Sequence, residues 1–360
     1  MSLSIGIVGL PNVGKSTLFN ALTKNEALAA NYPFATIEPN TGVVPVPDPR
    51  LEKLAKIYKS EKIIPATTTF LDIAGLVAGA SKGEGLGNKF LANIRECQAI
   101  VHVVRAFNDN DVVHVSDKVS PVEDIEIINT ELILADLQTI ENRSNKLQKE
   151  AKANPSARET LTYIDSLKRH LKSGTPLSSL PSLDLEQIKD LNLLTAKPTI
   201  YLFNVDEETL INTEKQNQLS ALVAPAKSVF VCAKLEEELK NLERIETEEL
   251  LQSYGVERSG LEQLIATSYE TLGLQSYLTA GPKETRAWTI REGSTAPQAA
   301  GAIHNDFEKG FIAAQVIDYN DLVETGSEAA AKAAGKIRTE GRDYIMRPDD
   351  IVEFRFNVSK

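Results

Sequence analysis

The residues Gly9-Leu-Pro-Asn-Val-Gly14-Lys15-Ser16-Thr17 have the spacing G-x-x-x-x-G-K-[ST], and that spacing handles phosphate. An apolar run, Ser4–Val8, precedes them and a helix-forming run, Leu18–Leu22, follows. Glycines at 9 and 14 permit backbone angles that other residues resist. The loop amides can then converge on phosphate oxygens, with the positive end of a helix dipole behind them. In such a loop Lys15 reaches the β and γ oxygens and the Ser16 hydroxyl ligates Mg²⁺. Downstream, Phe70-Leu71-Asp72-Ile-Ala-Gly75 closes a second apolar run with D-x-x-G. Asp72 stands where a carboxylate can hold Mg²⁺ through water, and the Gly75 amide where it can bind the γ-phosphate.

Between these motifs, Thr36 in Tyr32-Pro-Phe-Ala-Thr-Ile-Glu could close over the metal while the γ-phosphate is present; a surface turn is the plainer reading. Glycines 79, 83, 85 and 87 make the following loop mobile by composition. On a later apolar run, Asn204-Val205-Asp206-Glu207 occupies the place of N-K-x-D, which reads guanine in GTP-specific proteins. Asn204 is kept, Val205 replaces the Lys, and Glu207 replaces the Asp with an extra methylene, so a two-point guanine contact is not expected. Val231-Cys232-Ala233-Lys234 stands for the S-A-K loop on the base side, and Phe107 could stack on the base or serve the core. Leu76 sits where Ras-type enzymes carry the glutamine that orients water, and leucine has no hydrogen bond to offer. Either His114, otherwise a solvated loop histidine, or a K⁺ placed by Asn12 could supply what Leu76 lacks.

These residues need a scaffold. The runs Ser4–Val8, Thr67–Leu71, Ala99–Val104, Thr199–Phe203 and Val229–Cys232 are apolar on both faces, with helical stretches between them, which predicts an α/β fold with a mostly parallel sheet. Between 119 and 197 the pattern changes. Ile133, Leu137, Ile140 and Leu147, then Leu161, Ile164 and Leu171 after a break at Asn154-Pro155, predict an inserted antiparallel coiled-coil hairpin. After a helix near Leu261–Leu272 and punctuation at Ala280-Gly281-Pro282, strand-like runs at Arg286–Ile290, Gly310–Ile317 and Ile351–Phe356 flank a helix at Glu328–Ala334. The expected organisation is a nucleotide domain of 1–118 with 198–276, a helical insertion of 119–197, and a small α+β domain of 277–360.

Composition excludes several classes. With 42% apolar and 25% charged residues the chain reads as an ordinary globular protein, and no apolar run is long enough for a leader or a membrane span. Cys97 and Cys232 alone make neither a disulfide framework nor a metal site, which suits a reducing cytoplasm. A net charge of −11 speaks against non-specific nucleic-acid binding by the molecule as a whole, and no sequence-specific DNA partner is expected.

With these motifs assembled, the chain resembles the YchF family of Obg-like ATPases over nearly its whole length. The resemblance rests on Gly9–Thr17, Asn31-Tyr-Pro-Phe, Asp72-Ile-Ala-Gly-Leu-Val, Lys82-Gly-Glu-Gly-Leu-Gly-Asn and Asn204–Glu207. It implies a Ras-like P-loop domain, a coiled-coil insertion and a C-terminal β-grasp (TGS) domain linked to ribosome and RNA contact. It implies ATP preferred to GTP, with Asn12, Val13, Gly14, Lys15, Ser16 and Thr17 on the phosphates and Ser16 and Thr36 on Mg²⁺. Asn204 and the Val205 backbone would meet the adenine, with Phe107 beside it, and His114 would promote hydrolysis. Pro348, in Arg347-Pro-Asp-Asp350, departs from the family's usual glycine turn. From Arg143 to Lys172 basic residues outnumber acidic ones eight to three, a patch that could meet ribosomal RNA phosphates or simply be a solvated helix face. The rivals to a ribosome-gated ATPase are a GTP-specific switch and a nucleotide-sensing scaffold with incidental hydrolysis.

Overall fold

The computed structural model describes residues 3–23, 40–73, 86–107, 119–152, 154–239 and 242–357. Its contacts divide the chain into two compact units, 1–44 with 69–268 and 45–68 with 269–360.

In the first unit, strands β1 (Ser4–Gly9), β2 (Thr41–Pro45), β4 (Thr67–Asp72), β5 (Ala99–Ala106), β6 (Thr199–Val205) and β7 (Lys227–Val231) form one sheet in the order β2-β4-β1-β5-β6-β7. The pairs β1/β4, β1/β5, β5/β6 and β6/β7 are parallel. Ile5, Ile7, Phe70, Val101, Ile200 and Phe203 are almost fully buried, which is why these strands read as apolar on both faces.

The predicted insertion is a pair of helices, Pro121–Glu150 and Pro155–Lys172. Each starts at a capped proline: Ser120 Oγ accepts from the Glu123 amide, and Asn154 Oδ1 accepts from the Ser156 amide at 3.0 Å. Ile133, Ile140, Leu147, Ile164 and Leu171 are buried in their seam as the heptad spacing requires. The chain is returned to the sheet by Asp136, whose fully buried carboxylate accepts from the amides of Leu194 and Thr195, both at 2.8 Å, and from the Thr195 hydroxyl at 2.7 Å.

In the second unit, β3 (Lys62–Ile64), β8 (Leu274–Ala280), β9 (Glu284–Arg291), β10 (Phe311–Asp318), β11 (Arg338–Glu340) and β12 (Asp350–Phe356) form a mixed sheet in the order β11-β10-β12-β8-β9-β3. Its core includes Tyr277, Ile290, Phe311, Val316 and the alanines of the helix Ala296–Ile303, the arrangement of a β-grasp domain. Two boundaries differ from the sequence expectation. The segment between β2 and β4 leaves the nucleotide domain, because β3 pairs with β9 in parallel. The C-terminal unit also begins at 269 rather than 277, because Leu274–Ala280 is a strand antiparallel to β9. Ala280-Gly281-Pro282 thus leads into the turn of a hairpin. Pro348 is accommodated: the Asp350 amide donates to the Arg347 carbonyl at 3.2 Å, which places Pro348 second in the turn, where its fixed φ suits a type I or II turn.

His102, in the middle of β5, is fully buried against Tyr201 at 5.2 Å between ring centroids, and its Nε2 has no hydrogen-bond partner among the described residues. Burial drives its pKa down to about 3. The folded chain therefore holds a neutral imidazole that the unfolded chain protonates below pH ~6.5, so its stabilisation is present above that pH and is lost as pH falls towards 3. Between pH 6.5 and pH 5 this group should remove about 2 kcal/mol of stability. Denaturant unfolding of His102→Phe should show a correspondingly shallower loss over that window; identical acid slopes for the two proteins would refute the assignment.

Candidate functional site

The parallel strands deliver their carboxyl ends to one edge of the sheet, the edge at which α/β folds bind ligands. Ile7 lies beside Asp72 and Gly9 beside Val103, so the glycine-rich loop leaves β1 next to the end of β4. The helix Lys15–Thr23 opens at once, its first bond running from the Leu18 amide to the Gly14 carbonyl at 3.0 Å. Ser16 and Thr17 are exposed at its first turn. The buried Lys15 ammonium forms an ion pair with the Asp72 carboxylate. Two distant motifs, one assigned to phosphate and one to metal, are in direct contact.

Asn204, buried at the end of β6, joins this loop to the base side. Its Nδ2 donates to the Val13 carbonyl at 3.0 Å, and its Oδ1 accepts from the Ala233 amide at 3.2 Å. Gly14 has φ +93°, and a Cβ there would strike the Asn204 amide group. Asn12 also has positive φ, at 62°, a conformation that asparagine tolerates better than most residues.

On the base side, the Val205 side chain is buried in a cluster with Val104, Tyr201, Phe203 and Val223. That leaves only its backbone for a ligand. Asp206 caps the next short helix, Glu207–Leu210, by accepting from the Thr209 amide at 2.8 Å. The Glu207 carboxylate is held by protein donors: Oε1 accepts from Lys234 Nζ at 3.2 Å and Oε2 from the Tyr254 hydroxyl at 3.3 Å. Tyr254 has no sequence motif to mark it and was not among the expected site residues. Phe107 is half-buried, with the buried Arg105 guanidinium 4.6 Å from its ring centre and Arg105 Nε donating to its carbonyl at 3.2 Å. One face of the ring therefore has a cation partner.

The donor chemistry fits Mg²⁺. Ser16 offers a hydroxyl and Asp72 a carboxylate, both hard oxygen donors. Among the described residues no group of three or more His, Cys, Asp or Glu side chains could hold a metal. Thr36, Gly75, Leu76 and His114 lie outside the described residues.

Residues 4–135 match the family described as 50S ribosome-binding GTPase, and residues 274–357 match a C-terminal YchF-GTPase family described as of unknown function. The Ribosome-binding ATPase YchF of Haemophilus influenzae is 53% identical over 363 residues, covering 99% of this chain and 100% of that protein. The Bacillus subtilis protein of the same description is 49% identical over 366 residues, with the same coverage. The solved structure of the Schizosaccharomyces pombe YchF GTPase has a TM-score of 0.87 and 39% identity, covering 98% of each chain.

Asn204→Ala removes the buried group that serves both loops and strands the Val13 carbonyl and the Ala233 amide. We expect a stability loss of about 2 kcal/mol. Mg²⁺–ATP and Mg²⁺–GTP should weaken by the same factor, because the clasp shapes the site without distinguishing the bases. Thermal melts and parallel titrations check this; a variant that lost one nucleotide and kept the other would show that Asn204 acts as a base reader alone.

Proposed function

Because this chain belongs to the YchF family, we propose that it is a Mg²⁺-dependent ATPase that takes ATP in preference to GTP and binds the ribosome in a nucleotide-gated manner. The observation that carries the base preference is the Glu207 carboxylate, engaged by Lys234 and Tyr254 at the position where a GTP-specific protein presents a carboxylate to guanine. The relatives described as ribosome-binding ATPases support the activity and the partner.

In this reading Asn12, Val13, Gly14, Lys15, Ser16 and Thr17 enclose the phosphates. Lys15 exchanges Asp72 for the β and γ oxygens, and Asp72 is thereby released towards the metal. Ser16, Asp72 and Thr36 are the metal-side oxygens. Bound Mg²⁺ would neutralise charge on the phosphate chain. Asn204 and the Val205 backbone meet adenine, and Phe107 lies beside it. Gly75 binds the γ-phosphate through its amide, and His114 positions water in place of the glutamine that Leu76 replaces. Asn12 could hold a K⁺ against the phosphates, where a cation does the electrostatic work of an arginine finger. The exposed Lys146, Lys149, Lys152 and Arg158 around the hairpin turn suit ribosomal RNA phosphates. The nucleotide domain, helical insertion and C-terminal domain would then divide chemistry from ribosome contact.

A GTP-specific switch is the second reading, favoured by Asn204 and Lys234 in their guanine-motif places and by the description of the S. pombe relative as a GTPase.

Lys15→Ala and Ser16→Ala should each abolish or severely weaken Mg²⁺–nucleotide binding in a titration; wild-type affinity in both would dismiss the phosphate site. Unassisted turnover should fall well below the ~10 s⁻¹ of a median enzyme. Ribosomes or K⁺ should raise it towards the ~10³–10⁵-fold that a supplied cation gives related enzymes. Single-turnover hydrolysis with and without ribosomes decides this, and fast hydrolysis by the isolated chain would contradict it.

A further inference from the structure

We propose that Tyr254 is a positioning residue for purine selection, acting through Glu207 to hold its carboxylate away from the guanine-reading role. The inference deepens the reading of the chain as an ATP-preferring enzyme and rests on it.

Reading guanine takes both oxygens of one carboxylate at once, because N1–H and the 2-amino group present two donors side by side. In this chain the two Glu207 oxygens are turned to separate protein donors, Lys234 Nζ at 3.2 Å and the Tyr254 hydroxyl at 3.3 Å. Adenine presents an acceptor at N1, which a free carboxylate would repel. Anchoring Glu207 thus removes an obstacle to adenine and withholds the contact that guanine would use.

The two anchors differ in stiffness. The Lys234 side chain is 74% exposed, and an ion pair on a long solvated side chain contributes little. Tyr254 closes the helix Arg244–Ser253, its amide donating to the carbonyls of Leu250 and Leu251 at 3.3 and 3.1 Å. Its ring packs on the cluster of Cys232, Leu235, Leu239 and Leu251. The phenol is therefore a donor on a fixed arm. Asp206, by capping the helix that begins at Glu207, fixes the backbone from which the carboxylate starts. Lengthening Asp to Glu at this position gives the carboxylate reach, and Tyr254 gives it somewhere to go.

The test uses the full-length chain at constant Mg²⁺ and equilibrium titration with fluorescently labelled ATP, GTP and ITP, the last lacking the 2-amino group. Tyr254→Phe keeps the ring in its cluster and removes only the hydroxyl. It should narrow the ATP-over-GTP ratio by roughly three- to tenfold, the range of one hydrogen bond, through tighter GTP. ITP should gain less than GTP, because only one of the two guanine donors remains. In a Glu207→Gln background, where a single acceptor oxygen cannot serve both guanine donors, the same Tyr254→Phe change should leave the ratio unmoved. Lys234→Met should shift it the same way but less. A merely structural role for Tyr254 would weaken all three nucleotides together and would not depend on Glu207. An unchanged ratio in Tyr254→Phe, or an equal change in both backgrounds, overturns the proposal while a wild-type preference for ATP leaves the ATPase reading standing. A wild-type preference for GTP overturns both.

Discussion

One buried side-chain amide keeps the two halves of the site in register. Asn204 gives its donor to the Val13 carbonyl and takes the Ala233 amide on its oxygen, so the phosphate loop and the base-side loop share one fixed point. The sheet makes this possible: Asn204 sits opposite Arg105 of β5 and Val231 of β7, with β1 on the far side of β5. A buried amide with one partner removed would leave an unsatisfied donor or acceptor, costing about 1–3 kcal/mol. Gly14 completes the arrangement, since any side chain there would occupy the space of the Asn204 amide.

Electrostatics follow from the same geometry. Lys15 and Asp72 neutralise one another across neighbouring strand ends, in a place where an unpaired buried charge would be costly. In the proposed reading, a phosphate chain and its metal would take the place of that ion pair, with Lys15 serving the phosphate and Asp72 the cation. Such an exchange lets a site be both stable by itself and receptive to a highly charged ligand. At the end of β6, the buried Val205 side chain offers only backbone, and Glu207 is committed to protein donors.

What could be read from sequence was what is local. The phosphate loop is contiguous, Asp72 ends an apolar run, and the seam of Ile133, Ile140, Leu147, Ile164 and Leu171 repeats at heptad spacing, so each carries its own signature. The pairing of β3 with β9 joins segments that are distant in sequence, and nothing in Lys62–Ile64 announces it. Leu274–Ala280 hid its strand character behind a helix and a Gly-Pro turn that looked like a boundary. Tyr254 was invisible for a related reason: its role exists only because the end of one helix meets the start of another, with no motif at either.

The relatives' descriptions divide between ATPase and GTPase, and in this chain the proposed base preference rests on the held Glu207 carboxylate. An enzyme of this design draws most of its affinity from phosphates and metal, so the base contributes a modest increment in either direction. Equilibrium titration of the nucleotide-free protein with labelled ATP and GTP at one Mg²⁺ concentration measures it directly. ATP should bind tighter by about tenfold, or ~1.4 kcal/mol; a clear preference for GTP would contradict the account and leave only the P-loop fold in place.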